Sequence, residues 1–416
     1  MPAGPDARPL RDAYGSVRGC TLELASRLTP EDMQVQSMPD ASPAKWHLGH
    51  TSWFFEAVVL GPHLPGYAPF HPLFGVLFNS YYESLGPRHE RPMRGVLSRP
   101  GAEEILAYRA HVDRGIDALL ERGPAPEAMR LVELGLHHEQ QHQELLLTDI
   151  HHALSLNPLR PAYGRPAPPS ARPAPPLRFL GFDGGVYSIG ADGSSFSYDN
   201  ERPRHRVFLE RFELASRAVT CGEYLEFISD GGYRRPELWL SDGLAEVRSK
   251  GLRAPLFWEE RDGSWSAFTL GGMRALDPAE PACHLSYFEA DAYARWAGAR
   301  LPTEAEWEVA AAAHPVGGNL QESGRLHPQA AGDSDGPSQL FGDVWEWTQS
   351  AYAPYPGFRP EPGAAGEYNA KFMVSQLVLR GGSCLTPRSH LRASYRNYFP
   401  PGARWQFTGV RLARGA

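Results

Sequence analysis

Apolar residues recur at three- and four-residue steps over the first 156 positions of this 416-residue chain, and then that period is lost. Between Ala102 and Arg122 the residues Ile105, Tyr108, Val112, Ile116 and Leu119 keep the helical step. A first helix is expected over Leu10 to Leu28, ending before Pro30. A second starts after the turn Pro39-Asp40-Ala41-Ser42-Pro43, carries WHLGHTSWFFEAVVL and stops at Gly61-Pro62. The longest, Pro126 to Leu156, is the fourth. Four such helices, with one long crossover between the second and third, predict a four-helix bundle over residues 1–156.

Residues 157–176, NPLRPAYGRPAPPSARPAPP, are dense in proline and poor in core-forming side chains. That composition predicts an extended, polyproline-like spacer and a domain boundary. Over residues 177–416 short alternating runs follow: GGVYSIG, RHRVFLERFELA, LVLRGG and FTGVRLA. Single helices are expected at Cys221 to Ser229, Phe288 to Ala297 and Thr303 to Ala313. The second region therefore reads as an irregular α+β domain with much loop, and not as a parallel sheet.

Composition narrows the function classes. Hydrophobic residues make up 42% of the chain and charged residues 21%, enough apolar matter for full cores. A formal net charge of −7 argues against nucleic-acid or anionic-membrane binding driven by bulk electrostatics. No apolar run reaches the roughly 18–20 residues of a membrane span, and MPAGPDARPLRDAYG lacks the apolar core of a secretory signal. Cys20, Cys221, Cys283 and Cys384 are far apart, with no C-x-x-C pair. They are expected to be reduced, mostly buried thiols of a cytoplasmic protein.

Histidines carry the chemistry. The fourth helix contains His137-His138-Glu139-Gln140-Gln141-His142-Gln143-Glu144. His138 and His142, four apart, project from nearly the same side one turn apart and can share a divalent metal. Leu131, Leu134, Leu145 and Asp149 fall on or near that stripe. Glu144 lies ~200° round from His142 at ~100° per residue, a poor third ligand. The second helix offers His47 or His50, and the spacing does not choose between them. A three-histidine face with open positions suits Fe(II) oxygen chemistry or catalytic zinc. His137, His151 and His152 read as satisfied structural groups.

WHLGHTSWFFE together with HHEQQHQE resembles the DinB-like metal-binding bundle. GGVYSIG, YDNERPRHRV, ARLPTEAEWE, FGDVWEWT, LRGGSC and FTGVRLA resemble the formylglycine-generating-enzyme fold, also called C-type-lectin-like. This order of domains, over nearly the whole chain, is similar to the ergothioneine-pathway sulfoxide synthases. Those non-haem iron enzymes use O₂ to join cysteine sulfur to C2 of the imidazole of hercynine. The resemblance implies Fe(II) held by His50, His138 and His142, and hercynine held by Gln141 and Glu144. The loop FNSYYESLGPRHERPMRGVLSRPG matches the branch that uses free cysteine. In that branch the positions matching Tyr81 and Tyr82 stand near the iron, and those matching Arg91 and Arg94 hold the cysteine carboxylate. Trp405 and Phe407 are either a cation–π wall for a methylated ammonium or core residues of the second domain. Trp345, Trp347, Arg300 and Glu304 read as structural.

The expected activity is oxidative C–S coupling to hercynylcysteine sulfoxide, with Tyr81 or Tyr82 as proton donor. Within the same fold the rival is a selenoneine synthase, joining a seleno-sugar to hercynine. Arg91 and Arg94 favour a substrate carboxylate, which a seleno-sugar lacks. Formylglycine generation relies on a pair of nearby copper-binding cysteines, and LRGGSCLTPRSH offers Cys384 alone. A zinc thiol transferase or hydrolase, and a lectin-like binding module without catalysis, are the remaining alternatives.

Overall fold

Proline at the first position, two glutamates in a first turn and steady apolar stripes set the helices of the first region. The computed structural model describes residues 8–170 and 173–415. Residues 1–7, two positions of the expected spacer (Ala171 and Arg172) and Ala416 lie outside the described residues. Helix α1 spans Arg8–Ala25, α2 Ala44–Phe54, α3 Ala102–Glu121 and α4 Pro126–Ser155. Together they form the expected helical bundle. Helix α2 does not stop at Gly61: a π-helical stretch, Phe55–Leu60, and a last turn, Gly61–His63, prolong it. Every residue of Ala44–Phe54 is buried, so α2 is the core helix and presents no polar face.

Close packing on α2 is bought by glycine. A Cβ at Gly49 would stand 2.4 Å from the Phe78 ring. Its absence lets the crossover chain lie flat on α2 beside His50.

Beyond Leu159 the chain forms a second compact unit, Arg160–Pro360 with Asn369–Ala416, while Glu361–Tyr368 clusters with the bundle. The division falls inside the expected spacer. Most of that proline-rich stretch is fastened to the second unit. Tyr163 and Gly164 donate their N–H groups to the Leu270 carbonyl (2.9 and 3.0 Å), Ser170 N–H donates to Asp277 (2.7 Å), and Arg217 Nε donates to the Pro175 carbonyl (2.6 Å). Proline lacks the donors for a ladder but keeps its carbonyl, so the strap is held by its few non-proline residues and by acceptance.

The second unit holds four small sheets. β1 (Phe179–Phe182), β4 (Phe212–Ala215) and β12 (Ala413–Gly415) pair antiparallel in the order β1-β4-β12. β2 (Gly185–Ile189) and β3 (His205–Leu209) make a ribbon. β5 (Trp258–Arg261), β6 (Ser264–Thr269) and β7 (Gly272–Ala275) make a meander. β8 (Trp345–Ala351), β9 (Leu377–Arg380), β10 (Asn397–Phe399) and β11 (Thr408–Gly409) follow the order β10-β9-β8-β11. Among the described residues only the short β8–β11 pair is parallel. Helices α5 (Cys221–Ser229), α7 (Tyr287–Trp296) and α8 (Glu304–Ala311) lie where expected, and α6 (Ser241–Lys250) is an addition.

Three of these helices begin with reciprocal capping boxes: Thr220 with Glu223, Ser286 with Glu289, and Thr303 with Glu306. The PTEAEWE motif is thus a helix start. Trp307, Trp345 and Trp347 are fully buried. Trp307 Nε1 donates to Glu346 (2.6 Å) and Trp347 Nε1 to the Leu285 carbonyl (2.8 Å). The four cysteines form no disulfide among the described residues, and three of them are buried. Among the described residues no helix is long and apolar enough to cross a membrane.

Candidate metal centre

Helices α2 and α4 bring three imidazoles together in the bundle core. One nitrogen each from His50, His138 and His142 lies within 4.8 Å of the others. His50 Nε2 and His138 Nε2 are 3.1 Å apart. Nδ1 of His50 donates to the Phe78 carbonyl at 2.6 Å, and because a carbonyl only accepts, the Nε2 lone pair is left facing His138. All three rings are kept neutral. Burial drives His138 down to about 3, and burial with the neighbouring imidazoles holds His50 and His142 well below their ordinary range.

These features fit a divalent cation. Two nitrogens about 2.1 Å from one ion and at right angles would stand about 3.0 Å apart. Neutral imidazoles give up no proton on binding and suit zinc, copper, iron or nickel. His47, the other candidate on α2, is not one of the three. Its Nδ1 lies 2.8 Å from His142 Nδ1 and its Nε2 lies 3.1 Å from Asp149 Oδ2.

Aromatic rings wall the triad. The His50 ring is stacked between Trp46 (centroids 4.6 Å) and Trp53 (5.4 Å). Tyr82 is buried against Trp53 (5.3 Å) and stacks on Tyr81 (4.8 Å). Tyr81 in turn meets Tyr368 at 6.2 Å, and Tyr368 lies edge-on to His138 at 5.5 Å. Burial pushes the Tyr81 phenol above its ordinary value, so it holds its proton. Tyr368 belongs to the segment Glu361–Tyr368 of the bundle unit, where Glu367 accepts the N–H groups of Glu83 and Ser84 (2.9 and 3.0 Å). No sequence pattern pointed to this segment, because its partners are more than two hundred residues away.

Arg94 packs over the Trp46 ring (3.3 Å to the centroid). It donates to Ser42 Oγ (2.9 Å) and Ser80 Oγ (3.2 Å) and is 3% exposed. The other buried arginines, Arg18, Arg109, Arg217, Arg380, Arg396 and Arg411, each pair with a glutamate. Among the described residues Arg94 alone of this set has no carboxylate within ion-pair distance. Burial, helped by Arg91, pushes it down to about 8.

The remaining sequence candidates separate. Arg91 is exposed and donates to the Asp40 carbonyl. Gln141 is half-buried and Glu144 buried on α4, one residue before and two after His142. Trp405 and Phe407 belong to the second unit. Phe407 is buried against His284 (4.5 Å), and Trp405 meets Phe399 at 6.1 Å.

Comparison with known proteins agrees with the two-part layout. Residues 13–146 match the DinB superfamily, and residues 169–335 and 334–416 match the sulfatase-modifying factor enzyme 1-like domain. A DinB bundle with three converging histidines, followed by that domain, defines the class. The hercynine oxygenase of Mycolicibacterium smegmatis is 34% identical over 97% of this chain and 98% of its own length. That of Mycobacterium tuberculosis is 35% identical over 95% and 96%. Ergothioneine biosynthesis protein 1 of Schizosaccharomyces pombe is 29% identical over 53% of this chain and 28% of its own. This chain belongs to the hercynine oxygenase family of ergothioneine biosynthesis.

Proposed function

We propose that the protein oxidises hercynine in ergothioneine biosynthesis, joining cysteine sulfur to C2 of the imidazole and giving hercynylcysteine sulfoxide. The balance is simple: the C2–H and S–H bonds break, C–S and S=O bonds form, and the second oxygen atom of O₂ leaves as water. The observation that carries this reading is the neutral triad His50, His138 and His142 with the uncompensated Arg94 packed on the same Trp46 ring as His50. A ferrous ion on the three imidazoles would supply open positions for a thiolate and O₂.

Each protein group then has a task. Arg94 binds the cysteine carboxylate with its planar fork, which replaces two weak hydroxyl contacts with a charge-assisted pair. Trp53 and Phe54 exclude water around His50 and His138. The Tyr82 or Tyr81 hydroxyl holds the proton needed as oxygen is reduced, and burial keeps the Tyr81 phenol protonated until then. Gln141 and Glu144 orient the hercynine imidazole, which turns an encounter into a positioned reaction.

The test is an aerobic assay of the Fe(II)-loaded protein with hercynine and cysteine, products read by mass. Hercynylcysteine sulfoxide is expected. Formation only of cystine or cysteine sulfinate, or preference for a seleno-sugar over cysteine in competition, would overturn the cysteine-coupling reading. Tyr82→Phe and Tyr81→Phe should divert turnover toward thiol oxidation, and an unchanged product ratio in both would remove the tyrosines from the mechanism.

A further inference from the structure

His47 is buried, conspicuous in the sequence and not among the three converging nitrogens. Its contacts define a directed chain. Asp149 Oδ2 accepts the Ser42 N–H at 2.8 Å and faces His47 Nε2 at 3.1 Å. A carboxylate only accepts, so His47 carries its hydrogen on Nε2. With its hydrogen there, His47 has a lone pair on Nδ1, 2.8 Å from His142 Nδ1. For that contact to be a hydrogen bond, His142 must donate from Nδ1. Its own lone pair is thereby placed on Nε2.

From this we infer that His47 and Asp149 are positioning residues: they fix the tautomer and ring orientation of His142 so that it offers Nε2, and only Nε2, to a cation. His50 reaches the same state by donating to the Phe78 carbonyl. Two of the three donors are thus set before any metal arrives, one by backbone and one by a two-residue relay. The inference rests on the metal reading of the triad. Residues behind a metal ligand that hold its second nitrogen commonly contribute about 10- to 100-fold in metal affinity.

Two measurements test it without turnover. In the Zn(II)-loaded protein with ¹⁵N-labelled histidine, the His142 ring should be protonated at Nδ1 and metal-bound at Nε2, with His47 protonated at Nε2. A His142 ring bound through Nδ1, or His47 protonated at Nδ1, overturns the relay. Co(II) titration, followed by its visible absorption bands, should show about 10- to 100-fold weaker binding for His47→Phe and for Asp149→Leu. Asp149→Asn keeps an oxygen facing His47 and should stay within a few-fold of the parent. Equal affinity in folded His47→Phe and Asp149→Leu proteins overturns the relay while leaving the triad in place. Absence of Co(II) binding by the parent chain would instead overturn the metal reading, and the relay with it.

Discussion

Glu139 and His138 are neighbours on α4, yet they open onto two contrasting interiors. Glu139 is fully buried between Arg18 (2.9 Å) and Arg109, with Thr21 Oγ1 donating at 2.6 Å. Its charge is closed within the bundle. His138 is equally buried, but its Nε2 meets His50 Nε2 at 3.1 Å, with His142 beside them. There three nitrogen donors converge. One residue of helix, ~100° of rotation, separates a self-satisfied network from an open one. The first satisfies itself, and the second leaves three nitrogen donors converging. Arg94 and Asp343 repeat the contrast at single residues. Among the described residues Arg94 is a buried cation without a carboxylate in ion-pair range. Asp343, in the second unit, is a buried acid whose Oδ1 accepts from Asn319 (2.8 Å) and the Gln329 N–H (2.9 Å), with no arginine partner among the described residues.

The contrast can be broken most forcefully at Glu139. Replacing it by glutamine strips buried Arg109 of its carboxylate and leaves Arg18 with Asp113 alone (2.7 Å), and denaturant unfolding should show a loss of about 3–5 kcal/mol. Burial pushes this carboxylate up, but Arg109 and Arg18 outweigh burial and hold it at about 2. A depressed acid contributes its stability in full above its unfolded value and loses it as pH falls through the folded one. The gap between parent and Glu139→Gln should therefore narrow toward pH 2.

At the triad the expected signature is different: little effect without metal and a large one with it. Co(II) at 100 times its dissociation constant should stabilise the parent by about 2.7 kcal/mol. His138→Ala should gain nothing under the same conditions, and equal gains would show the cation bound elsewhere.

Arg94 separates function from stability. Arg94→Met removes an uncompensated charge, so stability should hold or rise by about 1 kcal/mol. The KM for cysteine should rise tenfold or more, the worth of about 1.4 kcal/mol of lost carboxylate binding. A stability loss as large as that of Glu139→Gln would mean that Arg94 is structural.

Near pH 5 the smallest effect is expected at Asp343, raised by burial to about 7. A raised acid favours the fold while protonated, and that contribution fades as pH climbs from its unfolded value through about 7. Asp343→Asn should thus leave the melting temperature unchanged near pH 3. At pH 5 it should raise stability by on the order of 1 kcal/mol, and by more toward pH 7.

Helices α3 and α4 were legible because each has one apolar stripe, and their observed ends fall within a residue of the expected Ala102–Arg122 and Pro126–Leu156. The pair His138 and His142 was legible for the same reason. His47 against His50 was not. With all of Ala44–Phe54 buried, α2 has no polar side to reveal which way either imidazole points. Tyr368 was equally hidden, since it joins the bundle through packing and not through any local pattern. The proline-rich stretch reads as an extended spacer from composition alone. Its attachment to the second unit depends on the Leu270 carbonyl, Asp277 and Arg217, all far from it along the chain.

What the chain's order of residues decided was the type of each segment and the chemical kind of its donors: helical period, capping boxes and a histidine pair one turn apart are local properties. Tertiary structure decided which imidazoles converge, which of them burial keeps neutral, and which buried arginine lacks a carboxylate among the described residues. Those depend on dielectric and on hydrogen bonds across the fold, such as His47 to His142 and His47 to Asp149, 95 and 102 residues apart.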